Sequence, residues 1–142
     1  MSCVTSLRDE DLKTDCLRKL VVARAFRVTQ SGSLLLVGLD VNGPADPCFA
    51  CSNETGNCGC FHAEQKLVHR LFRVGCPKKY LLLVLPWSPC TTCANHIAAC
   101  GFFWGVLYGK LTQHDPRGAE RLSRVMPCSD DASFIFEHAP AI

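Results

Sequence analysis

Two short segments of this chain hold residues that bind metals or move protons. The first, Gly59-Cys60-Phe61-His62-Ala63-Glu64-Gln65-Lys66-Leu67, sets a histidine and a carboxylate two positions apart. The second, Pro86-Trp87-Ser88-Pro89-Cys90-Thr91-Thr92-Cys93, sets two cysteines three apart. One imidazole and two thiolates make three zinc ligands, and a three-ligand zinc with an open fourth corner is the mark of a catalytic rather than a structural site. Zinc lowers the pKa of a water in that corner toward about 7. A nearby carboxylate that is not a ligand can take the proton and hand it to a leaving group. With His62, Cys90 and Cys93 as ligands and Glu64 as proton shuttle, the implied chemistry is hydrolytic attack at an amine-bearing ring carbon, with ammonia leaving.

These residues must be positioned by local structure. Residues 62–74 carry helical periodicity in Ala63, Leu67, Leu71 and Val74, and Gly75-Cys76-Pro77 stops it. In mid-helix His62 and Glu64 would point to divergent sides, but from a first turn both can reach a point off the helix end. Residues 89–101 read as a second helix, opened by Pro89 and closed by Gly101, and Cys90 and Cys93 at i and i+3 share one face of it. The helix N-terminus carries partial positive charge, which favours thiolates. Apolar runs at 34–41, 80–85 and 102–108 read as strands. Residues 8–26 read as a helix from the recurrence of Leu12, Cys16, Leu17, Leu20, Ala23 and Val28, and a further helix is expected from Asp115-Pro116 to near Val125. Residues 42–61 read as a long loop, and 127–142 receive no assignment. Strands alternating with helices imply an α/β domain with helices on both faces of a sheet, the helix-separated strands running parallel.

The totals bound the alternatives. A length of 142 residues suits a single domain over 1–142. A net charge of +2 gives no argument for nucleic acid. No apolar run approaches the roughly 18 residues of a membrane span, and the polar first residues are unlike a signal peptide, so a cytoplasmic location is the expectation. The 11 cysteines are an odd number. In a reducing compartment they read as metal ligands and buried thiols rather than a disulfide framework.

His62-Ala63-Glu64 followed by Pro89-Cys90-Thr91-Thr92-Cys93 resembles the signature of the zinc-dependent cytidine/deoxycytidylate deaminase superfamily, in which the Glu is general acid/base and not a ligand. Asn42-Gly43 after an apolar strand is similar to the Asn-bearing turn of the deoxycytidylate (dCMP) deaminases, and Asp115-Pro116-Arg117-Gly118 resembles a later Asp-Pro turn there. The resemblance covers roughly residues 8–125. It implies a cytidine-deaminase-like three-layer sandwich, a mixed five-stranded sheet with helices on both faces. It also implies zinc as cofactor, a dCMP-like nucleoside or nucleotide converted to its uracil product, and a homo-oligomer. Asn42 is then a substrate contact, with Trp87 and Ser88 at the pocket and the backbone N–H groups of Ala63 and Cys90 facing the substrate's ring groups. Two departures bear on substrate. Pro86-Trp87-Ser88-Pro89-Cys90 is nearer the polynucleotide deaminases, with Pro86 in place of a hydroxyl residue, and Lys66 stands where dCMP deaminases often carry Asn.

Competing readings stand beside these. Trp87 is either a stacking wall or a core residue, and Asn42-Gly43 is also a common turn pair. His96 could be a fourth ligand, but that would shut the water site, so an exposed helix position is expected. Lys78, Lys79, Arg70 and Arg73 read as a solvated face rather than a phosphate site. Cys48, Cys51, Cys58 and Cys60 either close a second, structural zinc or remain thiols. Two functional alternatives remain: a deaminase of single-stranded DNA or RNA, and a zinc-stabilised binding module without catalysis.

Overall fold

The computed structural model describes residues 20–44, 60–112 and 115–140. Its elements are β1 (Val22–Val28), β2 (Leu34–Val41), β3 (Gly43–Pro44), β4 (Cys60–Phe61), α1 (Ala63–Val74), β5 (Leu81–Trp87), α2 (Thr91–Cys100), β6 (Phe103–Lys110), α3 (Arg117–Leu122), β7 (Cys128–Ser129) and α4 (Ala132–Glu137). Five strands form one mixed sheet in the order β2-β1-β5-β6-β7. β1 runs antiparallel to β2 and to β5, while β5, β6 and β7 run parallel, joined through α2 and α3. The mixed five-stranded sheet and the parallel, helix-separated strands match the expectation.

Alternation along the strands separates two cores. Ala23 and Ala25 of β1 and Leu81, Leu83 and Leu85 of β5 share a cluster with Leu67 and Leu71 of α1, Ile97 of α2 and Leu122 of α3. On the other face Val28, Leu82 and Trp104 pack with Ile135 of α4. Helices therefore cover both faces, α1 to α3 on one and α4 on the other.

The helix expected over 8–26 is corrected at its C-terminal end. Residues 22–28 are a strand, paired on both sides, while 8–19 lie outside the described residues. Ala23 and Val28, which fit a helical spacing, also fit a strand, and they serve opposite faces of the sheet. The β-branched and aromatic content of Val-Ala-Arg-Ala-Phe-Arg-Val, and the hairpin turn at Ser31-Gly32 with Gly32 at φ 83, settle the choice. Two elements of the unassigned tail, β7 and α4, are short and irregular in pattern. The ends of the expected 42–61 loop are tied by a two-stranded ladder that pairs Gly43 with Phe61 and Pro44 with Cys60.

Pro86 stands beyond the stretch of β5 that pairs with β1, which ends at Val84, so its missing N–H breaks no ladder on that side. On the other side it meets Gly109, where a Cβ would come within 2.7 Å of the Pro86 carbonyl oxygen. A glycine in β6 thus lets the β5 backbone approach closely at Pro86.

Candidate metal centre

Both motif segments end at helix caps. His62 is the N-cap residue of α1, with extended backbone, and its N–H donates to Gln65 Oε1 at 3.0 Å. Cys90 is the N-cap residue of α2, also extended, and its sulfur accepts the Cys93 N–H at 3.5 Å. Pro89 therefore precedes the cap, and it is Cys90 rather than Pro89 that opens the helix. Cap positions project their side chains off the helix end, so two helix starts are directed at one point.

They meet there. His62 Nδ1 lies 3.1 Å from Cys93 Sγ and 3.6 Å from Cys90 Sγ. All three ligand atoms lie within 4.8 Å of one another. In a tetrahedral site with zinc–nitrogen near 2.0 Å and zinc–sulfur near 2.3 Å, a nitrogen–sulfur edge is about 3.5 Å. The donor set and its spacing fit zinc. His62 is exposed, Cys90 half-buried and Cys93 buried, so the cluster opens to solvent on the histidine side. His96 is exposed and outside the cluster, as the closure argument expected.

The two sulfurs differ electrostatically. Cys90 is lowered to about 4, chiefly by a hydrogen bond from the Cys93 thiol and further by His62. Cys93 moves up, because it keeps the shared proton and is more deeply buried. Glu64, at the second position of α1, is buried and lies against Cys93, and burial raises its pKa above the ordinary carboxylate value. A carboxyl that is removed from water and set beside these candidate ligands has a placement suited to proton transfer.

The remaining site residues are distributed around this point. Asn42 and His62 each stand one residue from the Gly43–Phe61 pair, so the ladder brings the Asn-Gly turn alongside the cluster. The Asn42 side chain is buried, and its oxygen accepts the Val21 N–H at 2.7 Å. That bond closes the end of the β1–β2 hairpin, a role the sequence reading did not anticipate. Ser88 is buried, its hydroxyl oxygen accepting the Thr112 N–H at 2.7 Å while its carbonyl accepts the Thr112 hydroxyl at 2.6 Å. It ties the exits of β5 and β6 together. Trp87 is 37% exposed at the end of β5, with Lys110 Nζ 5.8 Å from its ring centroid, which favours a wall over a core position. Ala63 is fully buried in the first turn of α1.

Lys66 has a structural explanation. Its ammonium lies 3.4 Å from Asp40 of β2, whose carboxylate also meets Arg70 at 3.2 Å. The pair joins α1 to the strand that leads into Asn42. Lys78 donates to the Cys100 carbonyl at 2.7 Å and lies over the Phe102 ring. Cys48, Cys51 and Cys58 of the second cysteine group lie outside the described residues, and Cys60 is placed only by its backbone pairing.

Sequence reasoning read the segment after β6 as a turn and a helix, and α3 (Arg117–Leu122) is that helix, but it assigned the segment no contact with the site. Asp115 Oδ2 accepts the Thr91 N–H at 2.8 Å and Oδ1 accepts the Thr91 hydroxyl at 3.1 Å. The signal for it was the Asp-Pro turn, whose partner cannot be read from one chain.

Two solved structures share this architecture. The dCMP deaminase from the cyanophage S-TIM5 in apo form is similar at TM-score 0.55 and 23% identity, over 77% of this chain and 78% of that one. The same enzyme in complex with dCMP and dUMP is similar at TM-score 0.63 and 23% identity, over 81% and 82%. This chain has the dCMP deaminase fold. No protein-family model and no curated protein matches the sequence. Within the dCMP deaminase fold, the His62, Cys90 and Cys93 cluster lies just past the C-terminal end of β5, where open α/β sheets place their ligands. Among the described residues no helix is long and apolar enough to cross a membrane.

Proposed function

We propose that this chain is a zinc-dependent hydrolytic deaminase of a cytosine-type nucleoside or nucleotide, dCMP-like, yielding the uracil product and ammonia. The observation that carries the reading is the convergence of His62, Cys90 and Cys93 within 4.8 Å, with the buried Glu64 carboxyl against Cys93. The fold shared with a dCMP deaminase supports it.

His62 Nδ1 and the Cys90 and Cys93 sulfurs hold the metal. Zinc in a three-ligand site supplies hydroxide near neutral pH by lowering the pKa of a water toward about 7. Glu64 takes a proton at its carboxylate oxygen, delivers it to the ring nitrogen beside the amine-bearing carbon, and serves again as the amine departs. The Ala63 and Cys90 N–H groups, at the two helix starts, orient the substrate's ring groups. Asn42 reaches the sugar or base from the turn beside His62, and Trp87 walls the approach.

The exposed Trp87 with Lys110 over its ring favours one second reading, deamination of a cytosine in single-stranded nucleic acid. An ammonia-release panel separates the two. Cytosine, cytidine, deoxycytidine, CMP, dCMP, adenosine and single-stranded DNA are each incubated with the zinc-loaded chain. The expected result is turnover of a free cytosine nucleoside or nucleotide. Turnover confined to the polynucleotide, weakening steeply with salt, selects the second reading. Ammonia from none of them leaves the fold as a zinc-stabilised binding module.

A further inference from the structure

Two residues of the segment after β6 press on the turn that presents Cys90. Thr91 follows Cys90 directly, and its N–H and hydroxyl both go to Asp115, whose carboxylate also faces Arg117 Nε at 3.9 Å. Gly118 of α3 lies with its backbone across Cys90 itself, against the carbonyls of both Pro89 and Cys90. A Cβ at position 118 would sit 2.5 Å from the Cys90 carbonyl carbon and 2.7 Å from its oxygen, with the Pro89 oxygen nearer still. Only hydrogen fits between these backbones.

We propose that Asp115 and Gly118 are positioning residues that clamp the Cys90 ligand in place for the metal. The proposal rests on the zinc reading above. The direction of the Cys90 sulfur is set by the peptides on either side of its Cα. Gly118 buttresses both at the Pro89 and Cys90 carbonyls, and Asp115 pins the second again through the Thr91 N–H. The cap geometry of Cys90, φ −70 and ψ 171, is the conformation these two contacts hold. Ligand geometry at zinc is narrow, and outer partners that orient ligands typically govern metal affinity by about 10–100-fold. One contact is polar and the other steric, yet both converge on the same residue.

The bland alternative is that Asp115 only satisfies a donor at the start of α2 and so contributes stability alone. Zinc affinity of the full chain, stripped of metal and titrated against a chromophoric chelator, separates the two. Thermal unfolding of the zinc-free forms is measured in parallel. Asp115→Ala and Gly118→Ala are expected to bind zinc about 10–100-fold more weakly than the parent. Asp115→Asn, whose amide oxygen still accepts one bond from Thr91, falls between. Glu120→Ala alters the same helix at an exposed side chain that meets Arg124, and binds zinc as the parent does. If Gly118→Ala does not fold, the two Asp115 variants carry the test. Zinc affinity of Asp115→Ala within twofold of Glu120→Ala overturns the clamp, whatever its unfolding temperature, while the zinc site stands. A parent chain that takes up no zinc overturns the zinc reading and the clamp with it.

Discussion

Glu64→Gln is expected to lower the rate of ammonia release by about 10⁴-fold, the upper end of what one general acid–base contributes, because in the proposed mechanism the residue handles protons twice in each turnover. The amide has the shape of the carboxyl but neither takes nor returns a proton. Glu64 is buried in the first turn of α1, so an isosteric replacement keeps the packing around Cys93. Burial already holds this carboxyl toward its neutral form, so an amide there introduces no new desolvation cost. The variant should fold and hold zinc as the parent does. Ammonia release and zinc content, measured on one preparation, check both halves. Turnover within tenfold of the parent would remove Glu64 from the mechanism.

Cys93→Ala is the second large effect. It deletes one of the three proposed ligands and should weaken zinc binding by more than the roughly 100-fold upper figure for outer-shell residues, with activity falling in step. Cys93 is fully buried, so a stability loss of about 1 kcal/mol accompanies the change, within the ordinary range for a point substitution. His62→Ala provides the comparison. His62 is exposed and its loss disturbs less packing, yet the zinc consequence should be of the same order. Two variants that differ in stability but agree in metal loss tie the effect to coordination. If Cys93→Ala loses stability and keeps parental zinc affinity, the thiol is a core residue and not a ligand.

The convergence of His62, Cys90 and Cys93 was legible because its information is local. His62 and Glu64, and Cys90 and Cys93, each lie on one helix start, and cap and breaker residues mark those starts in the sequence. The strands β2, β5 and β6 were legible as largely apolar runs, continuous only in β5. β1 was not, because both of its faces are covered, so Ala23 and Val28 face opposite cores and no single-face period marks the strand, which only its pairing with two neighbours shows. Asn42 and Ser88 were read toward the substrate from their motifs. Their hydrogen bonds to Val21 and Thr112 join residues 21 and 24 positions apart, and no spacing rule reports such partners. Asp115 and Gly118 are the same case. Their types suggested a turn, but that the turn lands on the Cys90 peptide follows from α3 packing on α2.

One titration decides the zinc-dependent reading of this chain. The chain is stripped of metal with a chelator, zinc is returned in steps, and ammonia release from dCMP and the other free cytosine compounds is followed at each step. No release is expected from the stripped chain, followed by a rise that saturates as the His62, Cys90 and Cys93 site fills. Release that persists without zinc, or none from any cytosine compound at saturating zinc, contradicts that reading.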